Sequence, residues 1–114
     1  MTDKLPKLLV DAIGAAESAW EFVQGCTLAA YAADKMRRSA VERQLEILGE
    51  ACSRMAKLDS SMLASVANFK LAIDLRNRII HGYDSVDDEI VFYTVIEDLP
   101  ALGADLKRLL ATRT

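Results

Sequence analysis

The chain has 114 residues, 52% of them apolar and 27% charged, with two prolines and five glycines; this is the make-up of one folded domain spanning residues 1–114 and excludes a disordered or low-complexity protein. No run approaches the roughly 20 apolar residues of a membrane span, and Met1-Thr2-Asp3-Lys4 lacks the basic start and apolar run of a signal peptide, so a soluble cytoplasmic protein is expected. A net charge of −3 and a pI of about 5.1 exclude a broad nucleic-acid grip driven by counterion release; any RNA contact must be local.

Leu8, Ala12, Ala16, Ala19 and Val23 recur at three and four residues and predict a first helix that Gly25 ends. Thr27 can cap a short turn through Ala33, after which Asp34 or Lys35 opens a second long helix. Its seam of Val41, Leu45, Leu48, Cys52 and Met55 suits antiparallel packing on the first helix. Cys26 and Cys52 stand far apart and, with one histidine in the chain, form no metal-ligand pattern; both read as ordinary core thiols.

Leu58 to Ser61 reads as a turn, with Asp59 to Ser61 as N-cap candidates for a helix from about Met62 to Ile80 that Asn68 interrupts. Gly82 is expected to stop it in the left-handed conformation, and Asp84 or Ser85 to cap the last segment. Phe92, Val95, Leu99, Leu102, Leu106 and Leu109 continue a helical stripe in which Pro100 predicts a kink or break near Asp98 to Pro100. With no alternating apolar pattern, the expected fold is all-α, an up-and-down bundle of four to five helices. The charges are uneven: Lys35, Arg37, Arg38 and Arg43 cluster, while Asp84, Asp87, Asp88, Glu89, Glu97 and Asp98 form an acidic run. Each reads as a solvated face or, alternatively, as a basic lip near a site and an acidic partner surface.

The segment Asp74 to Tyr83 concentrates polar groups at a helix end in an otherwise apolar bundle. His81 is the only histidine and so the one side chain whose ordinary titration range suits proton transfer near neutral pH. Asn77 lies four residues before it, where an amide can orient an imidazole, and Arg76 offers a planar fork for phosphate. An orienter, a proton carrier and a phosphate clamp suit RNA cleavage by the ribose 2′-hydroxyl, without a metal or other cofactor. The plainer reading is structural, with Asp74 and Arg78 as a helix ion pair and His81 capping carbonyls.

Arg76-Asn77-Arg78-Ile79-Ile80-His81-Gly82-Tyr83 resembles the Arg-x4-His-x-Tyr signature of HepT-like toxins of the HEPN superfamily. Arg43 to Ala51 is similar to that family's leucine-rich Gly-Glu-Ala helix, and Asp98-Leu99-Pro100 also fits. Upstream, Val66 to Lys70 departs from the family by lacking a tryptophan-bearing lead-in. The resemblance covers about Leu5 to Leu110. It implies a homodimeric, metal-independent endoribonuclease toxin of a type VII-like toxin–antitoxin pair. Arg76, Asn77 and His81 would be catalytic, and a nucleotidyltransferase antitoxin would adenylylate Tyr83. The alternative is a non-catalytic helical partner that binds the nucleotidyltransferase.

Overall fold

A computed structural model describes residues 3–82 and 86–113. The described residues are helical and contain no strand. Helix α1 (Leu5–Phe22) begins with Pro6 in its first turn, where a missing N–H leaves no bond unmade. It buries Leu9, Ala12, Ala16 and Ala19, while Leu8 stays half-buried at the edge of that face. Past its end Gly25, expected to end the helix, adopts φ +72°, a left-handed turn that glycine takes without a side-chain clash. The short α2 (Leu28–Ala33) is capped by Thr27, whose hydroxyl accepts the Ala30 N–H at 3.1 Å. Asp34 caps α3 (Lys35–Leu58) in the same way, accepting the Arg37 N–H at 3.0 Å.

Twenty-four residues make α3 about 36 Å long, which sets the long axis of a bundle measuring 46 × 28 × 22 Å. All five seam residues of α3 are buried, and its contact with α1 is the most extensive in the molecule. The expected hairpin is present. Each fully buried leucine or methionine of the seam contributes about 1.5–3 kcal/mol of transfer free energy, so this pairing is the main source of cohesion. Cys52 sits in the seam as a free thiol pushed up to about 12 by burial, while Cys26 is half-buried.

The helix expected over Met62 to Ile80 is two helices, α4 (Met62–Ser65) and α5 (Phe69–His81), parted where Asn68 was expected to interrupt it. Asn68 has φ +61°, a left-handed conformation that turns the chain between them. Its side-chain amide donates to the Asp98 carbonyl at 2.9 Å, and the neighbouring Ala67 N–H donates to the Asp105 carboxylate at 3.0 Å. The entry to α5 is thereby tied to the last helix.

Two expectations are corrected here. Gly82 ends α5 with φ −132°, outside the left-handed region, its N–H closing a last bond to the Arg78 carbonyl at 2.9 Å. Asp87 caps α6 (Asp88–Tyr93), accepting from Glu89 and Ile90; Asp84 and Ser85 lie outside the described residues. The break near Pro100 takes a specific form. A π-helical turn over Thr94–Asp98 precedes α7 (Leu99–Ala111), and Pro100, which has no N–H to donate, sits in the first turn after it. Thus α1, α3, α5 and the α6–π–α7 rod make the bundle, with α2 and α4 as short connectors.

Arg38 reaches Asp88 at 3.8 Å, so the basic cluster of α3 meets the acidic run at α6. Beneath this pair Tyr31 is fully buried, its ring 5.4 Å from Phe92. Burial and then the nearby Glu42 carboxylate push its hydroxyl well above the usual tyrosine range. That hydroxyl has no hydrogen-bond partner among the described residues.

Asn68 makes a direct test of how α5 is set. Asn68→Ala is expected to cost about 2 kcal/mol, combining a lost hydrogen bond with left-handed strain, and Asn68→Gly about 1 kcal/mol because it keeps the backbone freedom. Urea denaturation of both variants measures the difference.

Candidate functional site

The α5 helix carries the predicted site residues, and a glycine on α3 decides how closely it packs. A Cβ built on Gly49 would lie 2.1 Å from Arg76 Cβ, 2.7 Å from Arg76 Cγ and 2.9 Å from the Ala72 carbonyl oxygen. Only hydrogen at that position lets the Arg76 stem lie against the α3 backbone. Buried Leu75 and Ile79 turn the apolar face of α5 inward and leave Asn77, Arg78 and His81 exposed.

Packing fixes the Arg76 stem and α3 fixes its head. Arg76 Nη2 donates to Glu50 Oε2 at 2.9 Å, and Arg54 Nε donates to Glu50 Oε1, also at 2.9 Å. The Arg54 hydrogen bond, followed by the Arg76 charge, holds the Glu50 carboxyl below its usual range. The side chain of Arg76 is only 26% exposed, so this pair is better shielded than the helix-surface pairs around it. Arg76 Nη1 donates to Asn77 Oδ1 at 3.0 Å. Two of five guanidinium N–H groups are thus committed, and the fork remains able to donate to an anion.

The expected partnership of Asn77 with His81 takes a different form. The amide oxygen of Asn77 is engaged by Arg76, and the imidazole makes no hydrogen bond to a described residue. Asn77 and His81 nevertheless line one open cleft of about 510 Å³ together with Arg78 and Gly82. Asp74 pairs with Lys70 at 3.0 Å, so Arg78 has no carboxylate partner among the described residues and faces that cleft as an uncompensated cation. The plainer expectation of an Asp74–Arg78 pair is therefore replaced by an Asp74–Lys70 pair. Tyr83 lies outside the described residues.

A second cavity, of about 350 Å³, opens on the other side of Arg76 between α1, α3 and α5. Arg43, Glu50, Arg54 and Arg76 line it over an apolar floor that includes Leu8 and Ile80. The Arg76 head, which lines this cavity, donates to Asn77, which lines the first. Among the described residues no group of three or more His, Cys, Asp or Glu is disposed to hold a metal ion. None of the helices formed by those residues is long and apolar enough to cross a membrane.

Sequence reasoning found the α5 residues but not Gly49, Glu50 and Arg54 as their supports. The spacing of Glu50 and Arg54 marks an ordinary surface pair, and nothing local says that a residue 26 positions away joins it.

The chain matches the family model described as Ribonuclease HepT-like over residues 12–109. A protein of Thermococcus cleftensis, named provisionally as a ribonuclease HepT, is 32% identical over 101 residues, covering 89% of this chain and 91% of that protein. A protein of Methanocaldococcus jannaschii, named provisionally as an RNase, is 32% identical over 99 residues, covering 87% and 90%. Another so named, from Caldanaerobacter subterraneus subsp. tengcongensis, is 29% identical over 90 residues, covering 79% and 80%. No solved structure matches the chain at a significant level.

Gly49→Ala tests the close approach. The added methyl is expected to push α5 from α3 and cost about 2–3 kcal/mol, as overpacking does, whereas Gly14→Ala on α1, where nothing lies within 4 Å of the new atom, is expected to stabilise by up to about 1 kcal/mol. Thermal unfolding followed by circular dichroism reads both.

Proposed function

The chain belongs to the HepT-like ribonuclease family, and from that premise we propose that it is a metal-independent endoribonuclease toxin acting as one domain. The observation that carries this reading is that Asn77, hydrogen-bonded to Arg76, shares one cleft with His81 on α5, inside the stretch matched by the family model. In the proposed reaction the ribose 2′-oxygen attacks the adjacent phosphorus as the bond to the 5′-oxygen breaks. A base takes the 2′-hydroxyl proton and an acid returns one to the leaving oxygen. Arg76 meets the charge developing on phosphate with its remaining N–H groups, and Arg78 adds a second cation at the mouth.

General acid–base cleavage usually uses one group to take a proton and another to give one, whereas each chain has a single histidine, so we propose a homodimer. A two-fold interface that brings the ends of two α5 helices around one cleft would pair the imidazoles and double the arginines. We further propose that the toxin pairs in a type VII-like system with a nucleotidyltransferase antitoxin that adenylylates Tyr83. That residue is two positions past His81, and a phosphodiester there would bring negative charge toward Arg76 and Arg78 and compete with RNA.

Purified protein incubated with RNA in excess chelator is expected to cleave it. His81→Ala is expected to lose about 100-fold or more, and Arg76→Ala a similar factor. Equal cleavage by parent and His81→Ala would overturn the assignment. No cleavage by the parent, with tight binding to the nucleotidyltransferase, would establish the docking module instead. Tyr83→Phe is expected to cleave RNA and to resist silencing by the partner and ATP; modification found at another residue overturns that switch.

A further inference from the structure

The cavity beside Arg76 does not end at the site. It shares Leu8, Asp11 and Arg54 with a second, larger cavity of about 640 Å³, so the two form one groove between α1 and α3 that runs to the N-terminal end of α1. Six basic residues line this groove, Arg43, Arg76, Arg54, Lys57, Lys7 and Lys4. Four acidic residues line it as well, Asp3, Asp11, Glu46 and Glu50, in a chain whose net charge is −3. The groove is thus a cationic strip on an acidic protein.

Every one of those acids is already engaged. Glu50 is held by Arg54 and Arg76, Asp11 by Lys7 at 2.6 Å, Glu46 by Arg43 at 3.9 Å, and Asp3 by Arg113 at 3.6 Å. Lys4 and Lys57 are left with no ion pair among the described residues. Lys57 lies close enough to Glu50 to help lower the carboxyl that also holds Arg76. Lys7 is 76% exposed and its pair with Asp11 is a surface i,i+4 pair, weak enough for a phosphate to displace. From Arg43 to Lys57 the α3 backbone advances about 21 Å, long enough for several nucleotides.

We propose that this groove is the track for the RNA strand outside the cleaved bond, with Lys7 and Lys57 as phosphate contacts leading away from Arg76. The inference rests on the ribonuclease reading and adds the direction in which the substrate lies. Leu8, Ile47, Leu58 and Ile80 are the larger apolar lining residues and no aromatic ring lines the groove, so it offers no stacking platform for bases. Recognition along it is therefore of the phosphate backbone, tolerant of sequence.

The test is binding of labelled single-stranded RNA to full-length protein carrying His81→Ala, measured by fluorescence anisotropy across a salt series. With an RNA of about 20 nucleotides, Lys7→Ala/Lys57→Ala is expected to weaken binding about ten-fold at low salt and to lower the log–log salt slope by about 1.4, or 0.7 for each lost contact. An RNA of about four nucleotides, too short to follow the groove, is expected to lose less than two-fold. Lys7→Arg/Lys57→Arg should keep the parental slope, and Lys107→Ala, on the α1–α7 side, should leave it unchanged. An unaltered slope in the double alanine variant, or an equal loss on both RNAs, overturns the track. So does loss of binding to a nucleotidyltransferase with RNA binding intact, which would make the groove a protein surface. Cleavage by the His81 parent is scored separately: slope loss without parental cleavage overturns the ribonuclease reading and reduces the groove to an RNA-binding surface, and parental cleavage with an unaltered slope overturns the track and sustains the ribonuclease reading.

Discussion

The close passage of α5 over Gly49 is the contact on which the arrangement of the site depends. An arginine on a helix surface normally trails into solvent with several rotatable bonds free, and holding it in one pose costs side-chain entropy. Here the stem rests against backbone that no larger residue would permit, and the head meets a carboxylate one residue further along α3. The same glycine therefore brings the helices together and aligns Arg76 with Glu50. Asn68 sets the other end of α5 through the α7 junction, so the helix is positioned at both its entry and its middle.

This geometry resolves an electrostatic difficulty. A chain of net charge −3 repels polyanions at long range, and a single unsupported arginine would do little against that field. Arg76 is paired, yet three N–H groups remain to donate, and a guanidinium pre-oriented by a carboxylate gives up less freedom when an anion arrives. Arg78, without a carboxylate partner among the described residues, supplies the uncompensated charge at the mouth beside His81. The acidic run meets the basic cluster instead at Arg38 and Asp88, away from the groove.

Much of the fold was legible because it rests on local signals. The caps at Thr27 and Asp34, the positive-φ Gly25, the α3 seam and the break at Asn68 each follow from a residue type and its near neighbours. Gly82 was misread because a glycine after a helix permits the left-handed turn without requiring it, and the cap of α6 is Asp87, whose carboxylate accepts from two N–H groups. In the site, Arg76, Asn77 and His81 were visible as a spaced set, but the direction in which the asparagine amide is engaged was not. Its partner depends on where α3 holds the arginine, and that comes from a contact spanning 26 positions in sequence. Glu50 and Gly49 were seen only as parts of a resembling stretch, because burial, clearance and long-range pairing have no one-dimensional signature.

A double-mutant cycle on Glu50 and Arg76 tests the central claim most directly, with RNA cleavage as the readout for Glu50→Gln, Arg76→Lys and the pair. If Glu50 acts by holding the arginine head, the two losses overlap, and the cycle yields a coupling of about 1–3 kcal/mol. Strictly additive losses, with Glu50→Gln impairing cleavage equally whether residue 76 is arginine or lysine, would contradict the account.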